Sequence, residues 1–321
     1  MEHSFDLICV GTALVDSIIR GFDPEPVSAS GFRAESGSLS VGGEAVNEAM
    51  AAAKLGAKTG IYCSLGTDDA GDMIVGALDR CGVDTGRILR DQQHPTPVTT
   101  MFVNADGTRK SITNGAHRHN FHPERDSARF TDARAIILGS LFRAPFDDPE
   151  IIAAVLHAAK AAGQLVLADT KLPNFRFLTL EDLRDSLPLI DCITPNEDEA
   201  RYYSGKDTPE EMADVFLSCG VKNVVIKLGA AGCYFKNAEA EIRLPACKIQ
   251  AVDATGAGDN FVAGFASELL RGAAAEDALR FANACGAICA SAVGAGTALR
   301  NREQVLRLAQ LYEGKRSPRS P

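Results

Sequence analysis

The chain has no CxxC pair, no excess of basic residues and no apolar run long enough to cross a bilayer, and each absence removes a class of function. Its nine cysteines, an odd number, stand singly in apolar segments, as Cys9, Cys63, Cys192 and Cys233 do. That is the pattern of reduced core residues rather than of a disulfide framework. Cys285 and Cys289, four apart, are spaced to face one another on a helix, which reads as packing. Lys and Arg total 33 against 42 Asp and Glu, a net charge of −9, which argues against general affinity for nucleic acid or an anionic membrane. A phosphate site in such a chain has to be built locally. No basic start precedes the first strand-like segment, and with no spanning run the expected location is cytoplasmic. Two nucleotide signatures are missing as well. There is no GxxxxGK followed by Ser or Thr, which excludes a P-loop enzyme. No GxGxxG follows the first strand, where Gly11-Thr12-Ala13 offers a single glycine, and this argues against a nicotinamide dehydrogenase.

What is present is a core and a rhythm. At 321 residues and 45% hydrophobic content the chain can bury a sizeable interior and fold alone. Apolar runs at 6–10, 59–64, 135–139, 165–169, 192–194 and 223–227 read as central strands. Helical patterns fall among them at 47–55, 148–162, 209–219, 257–271 and 275–291. The alternation predicts an α/β domain with a mostly parallel sheet and helices on both faces. Residues 17–39 and 97–113 break the rhythm; the second is a hairpin of 98–103 and 109–113 around a turn at 104–107. Together they are expected to form a small β lid that excludes water from a site at the strand ends. One domain is expected over 1–312, followed by a disordered tail over 313–321. His117, His119 and His122 cluster without a closing ligand, and Arg118 among them would repel a cation, so they read as an exposed linker.

The strongest local signal is VDATGAGDNF at 252–261, running straight into an apolar helix. Gly256, Ala257 and Gly258 can turn successive N–H groups toward one point at the helix start, where the dipole also favours an anion. Asp259, in the first turn, is placed to take a proton from a hydroxyl attacking a phosphate held there.

DATGAGDNF resembles the C-terminal signature of the ribokinase-like (PfkB) carbohydrate kinases, and Gly42-Gly43-Glu44-Ala45-Val46-Asn47 resembles their N-terminal signature. The likeness extends from residue 5 to about 312. It implies a ribokinase-like fold and transfer of the ATP γ-phosphoryl group to an alcohol. Carried over, it makes Asp259 the base and Gly256, Ala257 and Gly258 the anion hole. Asp16 would grip substrate hydroxyls, with Gly42, Gly43 and Asn47 on the other wall of the sugar pocket. Asn196 and Glu199 match the family's NxxE element, which implies Mg²⁺ held through its water shell. Lys227, Gly229 and Gly232 match its nucleotide loop, and Asn283 the position beside adenine. Asp253 and Thr255, with carbonyls from about 289 to 296, match a potassium site, from which Ala298 departs by lacking a hydroxyl.

Two further departures turn the expected substrate away from ribose. Glu44 stands where ribokinase-type sequences have Lys, and residues 137–142 lack an acid those enzymes present. The expectation is ATP-dependent phosphorylation of a small sugar or sugar acid, such as fructose or 2-keto-3-deoxygluconate. A nucleoside kinase on the same scaffold and a catalytically silent sugar-binding regulator are the alternatives. Lys171, at a strand end, is a candidate to neutralise charge near the phosphates. Val98, Thr100 and Phe102 give the lid a face through which a homodimer is expected.

Overall fold

The computed structural model describes residues 3–21, 34–104, 108–114 and 121–313. The proposed lid turn in part, His117, His119 and the tail from residue 314 lie outside the described residues, as do residues 22–33 of the expected lid.

Eight strands form the large sheet, in the order β14 (Glu241–Leu244), β13 (Cys233–Asn237), β12 (Asn223–Lys227), β11 (Cys192–Ile193), β10 (Leu165–Thr170), β9 (Ala133–Leu141), β1 (Phe5–Val10), β4 (Thr59–Tyr62). From β4 to β12 all neighbours are parallel, while β13 and β14 close one edge as antiparallel strands. Both faces are buried, as the unbroken apolar runs predict. Leu7 and Cys9 of β1 join one core and Ile8 and Val10 the other. The first core is covered by α1 (Glu44–Lys54), α2 (Asp69–Arg80), α6 (Ala257–Leu270), α7 (Ala275–Ala290) and α8 (Arg302–Glu313), the second by α3 (Pro149–Ala161), α4 (Glu197–Ser204) and α5 (Pro209–Ser218).

Helix starts follow local chemistry. Asp148 and Thr208 accept hydrogen bonds from first-turn N–H groups, and each is followed by a proline at the position where a missing N–H costs nothing. The expected strand at 59–64 breaks at Cys63. Its second half, β5 (Ser64–Gly66), leaves the large sheet and pairs with β6 (Leu89–Asp91).

The lid is a separate sheet of four strands, β3 (Ser36–Gly42), β2 (Leu14–Arg20), β7 (Val98–Val103) and β8 (Arg109–Thr113). β2 pairs antiparallel with β3 and parallel with β7. The lid starts earlier than residue 17, so Asp16 sits on a lid strand. The opposite face of this sheet leaves Leu39 and Ile112 exposed.

α6 and α7 pack closely because Gly264 has no side chain: a Cβ there would lie 2.7 Å from the Cys285 sulfur. All nine cysteines are free and Cys285 and Cys289 are buried, the packing role expected of them. Gly264→Ala should overpack this contact and cost about 1–3 kcal/mol. Urea denaturation would register it as a lower midpoint with an unchanged slope, restored in part by adding Cys285→Ala. An unmoved midpoint would mean that the helix pair gives way freely.

Candidate active site

The parallel strands all end on one edge, where α/β sheets bind ligands, and the residues singled out above converge there. The segment before α6 is fastened by Asp253. Its Oδ1 accepts from the Thr255 N–H at 3.0 Å and hydroxyl at 2.7 Å, and its Oδ2 from the Gly294 N–H at 3.2 Å. Gly256 then takes a left-handed turn at φ 75°, where a Cβ would lie 2.2 Å from that of Ala295. No side chain caps α6, so its first-turn N–H groups keep their capacity to bind an anion.

Asp259 is 7% exposed in that first turn. The Asn47 amide of α1 donates to its Oδ2 at 2.7 Å across 212 residues of sequence, so the two signature motifs meet at the carboxylate. Gly42 lets Asp16 approach, since a Cβ on it would come within 2.3 Å of the Asp16 carboxylate. Asp16, Gly42, Asn47, Asp253 and Thr255 line one cleft of about 460 Å³, partly open to solvent.

Charges crowd around this point. Lys171, just past β10, is ion-paired with Glu44 at 3.1 Å. Lys227 ends β12 and its ammonium bonds Asp169 at the end of β10, which also accepts from the Thr194 hydroxyl at 2.7 Å. The same ammonium is 3.4 Å from where a Cβ on Gly258 would stand, so Lys227 brings a charge, and not only backbone, to the glycine turn. Burial pushes the Asp259 carboxyl up; Lys171 opposes this, Glu44 and Asp169 add to it, Asn47 lowers it, and the result is about 6. Burial also raises Glu44, but the Lys171 ammonium and the Ser140 hydroxyl bring it down to about 2. Lys171 is held above its ordinary value, chiefly by Glu44. Asp16 rises to about 6 through burial and the nearby Glu44.

Asn196 and Glu199 form a reciprocal capping box at the start of α4, with Asn196 Oδ1 accepting from the Glu199 N–H at 2.9 Å and Glu199 Oε2 from the Asn196 N–H at 2.9 Å. Thr170 also donates to Glu199 at 2.8 Å. Oxygens engaged in this way suit an ion held through its own waters, as Mg²⁺ commonly is, rather than one bound directly. Among the described residues no cluster of three or more His, Cys, Asp or Glu stands ready to hold a metal, and His122 pairs with Glu124 at 3.1 Å. Gly229 opens the turn after β12 and the Gly232 carbonyl accepts from the Leu228 N–H at 2.8 Å, closing it. Asn283 donates to the Cys233 sulfur at 3.3 Å.

Sequence reading missed Glu48. It is fully buried on α1 with neither carboxyl oxygen bonded, and burial, reinforced by Asp169, Asp259 and Glu44, raises it well above the usual carboxylate range. An acid amid the buried alanines of α1 was the available signal. Asp169 and Lys227 each lie at the end of a strand expected from the sequence, but their pairing follows from the order of those strands in the sheet, which no local pattern gives.

The family model described as pfkB family carbohydrate kinase matches residues 5–302. A ribokinase of Arabidopsis thaliana is 32% identical over 95% of this chain and 81% of its own length. A 2-dehydro-3-deoxygluconokinase of Bacillus subtilis is 28% identical over 84% of this chain and 86% of its own. The solved structure of Arabidopsis thaliana ribokinase complexed with ribose and ATP superposes with a TM-score of 0.84 at 30% identity, covering 97% of this chain and 99% of that one.

The raised carboxyl has a cost for folding. Unfolded, Asp259 titrates near about 3.9; folded, it titrates at about 6, so the folded chain binds that proton more tightly. Above pH 6 the folded state bears the full penalty, on the order of 3 kcal/mol for a shift of about two units, and below about pH 4 it bears none. Asp259→Asn should therefore melt above the wild type at pH 8, with the gap closing toward pH 4. Thermal unfolding at a series of pH values would check this, and a constant gap would contradict it.

Proposed function

Because the chain belongs to the pfkB family of carbohydrate kinases and is an ATP-dependent sugar kinase, we propose that it phosphorylates a hydroxyl of a small sugar or sugar acid in the cleft beneath the lid, with Asp259 as the base. The observation that carries this reading is the 2.7 Å hydrogen bond from Asn47 to Asp259. It fixes a carboxylate beside an uncapped helix N-terminus, through an amide that itself lines the cleft together with Asp16.

In this reading the acceptor hydroxyl gives its proton to Asp259 as its oxygen bonds to the γ-phosphorus, and the bond from that phosphorus to the bridging oxygen breaks to release ADP. Gly256, Ala257 and Gly258 at the start of α6 face the charge on the transferring group, with the Lys227 ammonium beside them. Lys171 is neutralised by Glu44 in advance, so it steadies Asp259 in its ionised form without drawing the phosphate away. Asp16, with Gly42 and Gly43, receives substrate hydroxyls. Asn196 and Glu199 would hold Mg²⁺ through water, and that ion would offset phosphate charge when bound. Gly229, Gly232 and Asn283 are assigned to the nucleotide, and Asp253 and Thr255 to a potassium ion that would stiffen the turn ahead of Gly256. Among substrates, fructose and 2-keto-3-deoxygluconate suit the reading better than ribose, since Glu44 is tied to Lys171 where a free lysine was expected of a ribokinase.

Asp259→Asn should lower turnover by about 10²- to 10⁴-fold, the scale of a lost general base, while nucleotide binding persists. In the wild type kcat/KM should fall on the acid side of a midpoint near 6, where Asp259 takes up its proton. ADP release assayed across pH with a sugar panel would read both, and near-normal rates in the variant would remove Asp259 from the mechanism. Run with and without potassium, the same assay should show activation by the ion; indifference to it would count against the site at Asp253 and Thr255.

A further inference from the structure

β2 presents alternate residues to the cleft, so Asp16, Ile18 and Arg20 share the face that looks toward the site, and all three line it. Arg20 is half-buried, yet among the described residues its guanidinium makes no ion pair and no side-chain hydrogen bond. Its partners in the sheet are Ser36 on β3 and Val103 on β7, neither of them acidic. Of the two other charged residues lining the cleft, Asp253 is engaged by Thr255 and Gly294. Asp16 stands four positions back along the strand, about 13 Å away at about 3.3 Å per residue. Ile18, Met101 and Val103 wall the cleft around Arg20, and apolar surroundings of this kind strengthen a charge contact.

A partly desolvated guanidinium without a counterion is a cost unless a ligand supplies the anion. Its planar fork matches a carboxylate or a phosphate through paired hydrogen bonds. Resting on the kinase reading above, we propose that the acceptor sugar is itself anionic, and that Arg20 receives its carboxylate or phosphate at the end remote from the reacting hydroxyl. The separation of Asp16 and Arg20, shortened by the reach of both side chains, suits a polyol of hexose length, with hydroxyls at Asp16 and the charged terminus at Arg20. Arg20 is thus a specificity residue carried on the lid, and substrate charge is sensed by the element that covers the substrate.

The test is ADP release from Mg-ATP on matched neutral and charged acceptors: fructose against fructose 6-phosphate, and glucose against gluconate and 2-keto-3-deoxygluconate. The wild type should favour one charged member, and which member it favours tells phosphate from carboxylate. In Arg20→Ala the ratio of charged to neutral kcat/KM should fall by about 10- to 100-fold, the scale of a lost charge-assisted hydrogen bond. The loss should sit in KM for the charged acceptor, and Arg20→Lys should recover part of it. A wild type that prefers the neutral members, or a ratio unmoved in Arg20→Ala, overturns the proposal while leaving the kinase intact. ADP release with none of these acceptors would overturn the choice of acceptor made under the proposed function, and this proposal with it. Should Arg20→Ala not accumulate as folded protein, the wild-type preference decides alone.

Discussion

The carboxyl edge of the large sheet is organised around the burial of more negative than positive charge beside Asp259. Five acids, Glu44, Glu48, Asp169, Glu199 and Asp259, share the region with two lysines, Lys171 and Lys227. Unpaired charge is too costly to leave buried, and each acid is relieved differently. Lys171 takes Glu44, Lys227 takes Asp169, a capping box and the Thr170 hydroxyl take Glu199, and Glu48 is driven toward its neutral form. Asp259 is left with an amide and a distant share of Lys171. Setting aside Glu48, which is driven neutral, Asp259 is the least compensated of the five, and that suits it to the proton-accepting role proposed above.

Supplying that arrangement takes most of the fold. Asp169 and Lys227 come from the ends of β10 and β12, Glu44 and Asn47 from α1, and Asp259 from α6. Two parallel strands bring the lysine and acid together, and the packing of α1 against α6 brings amide to carboxylate. The sheet is therefore less a platform under the site than the means by which residues far apart in sequence become ion-pair partners.

Architecture was largely legible in the sequence, because strands buried on both faces are continuous apolar runs and the Ala-rich helices keep their period. The run at 223–227 coincides with β12. α2 escaped notice: Gly71 and Gly76 interrupt its pattern, and its start depends on Asp68 accepting from the Gly71 N–H, which a propensity reading does not weigh. Motif residues were legible by type and spacing. What they do to one another was not, because the Glu44–Lys171 and Asp169–Lys227 pairs depend on strand register and helix packing that no local pattern encodes. In the sequence Lys171 is marked only as a strand-end lysine, and Arg20 carries no mark at all, since an arginine at a strand end is ordinary until the fold places a cleft beside it.

β3 ends at Gly42 and α1 begins at Glu44, so one residue, Gly43, separates the lid from the helix that holds Asn47. With no loop between them, the lid strand is joined almost directly to the helix whose Asn47 amide, one turn in, bonds Asp259. In the mechanism proposed above, a sugar seated beneath the lid would touch both the strand and, through this short connection, the support of the carboxylate, whereas a water molecule would not. Economy with ATP, under that proposal, would rest on the single residue that joins the cover to the helix supporting Asp259.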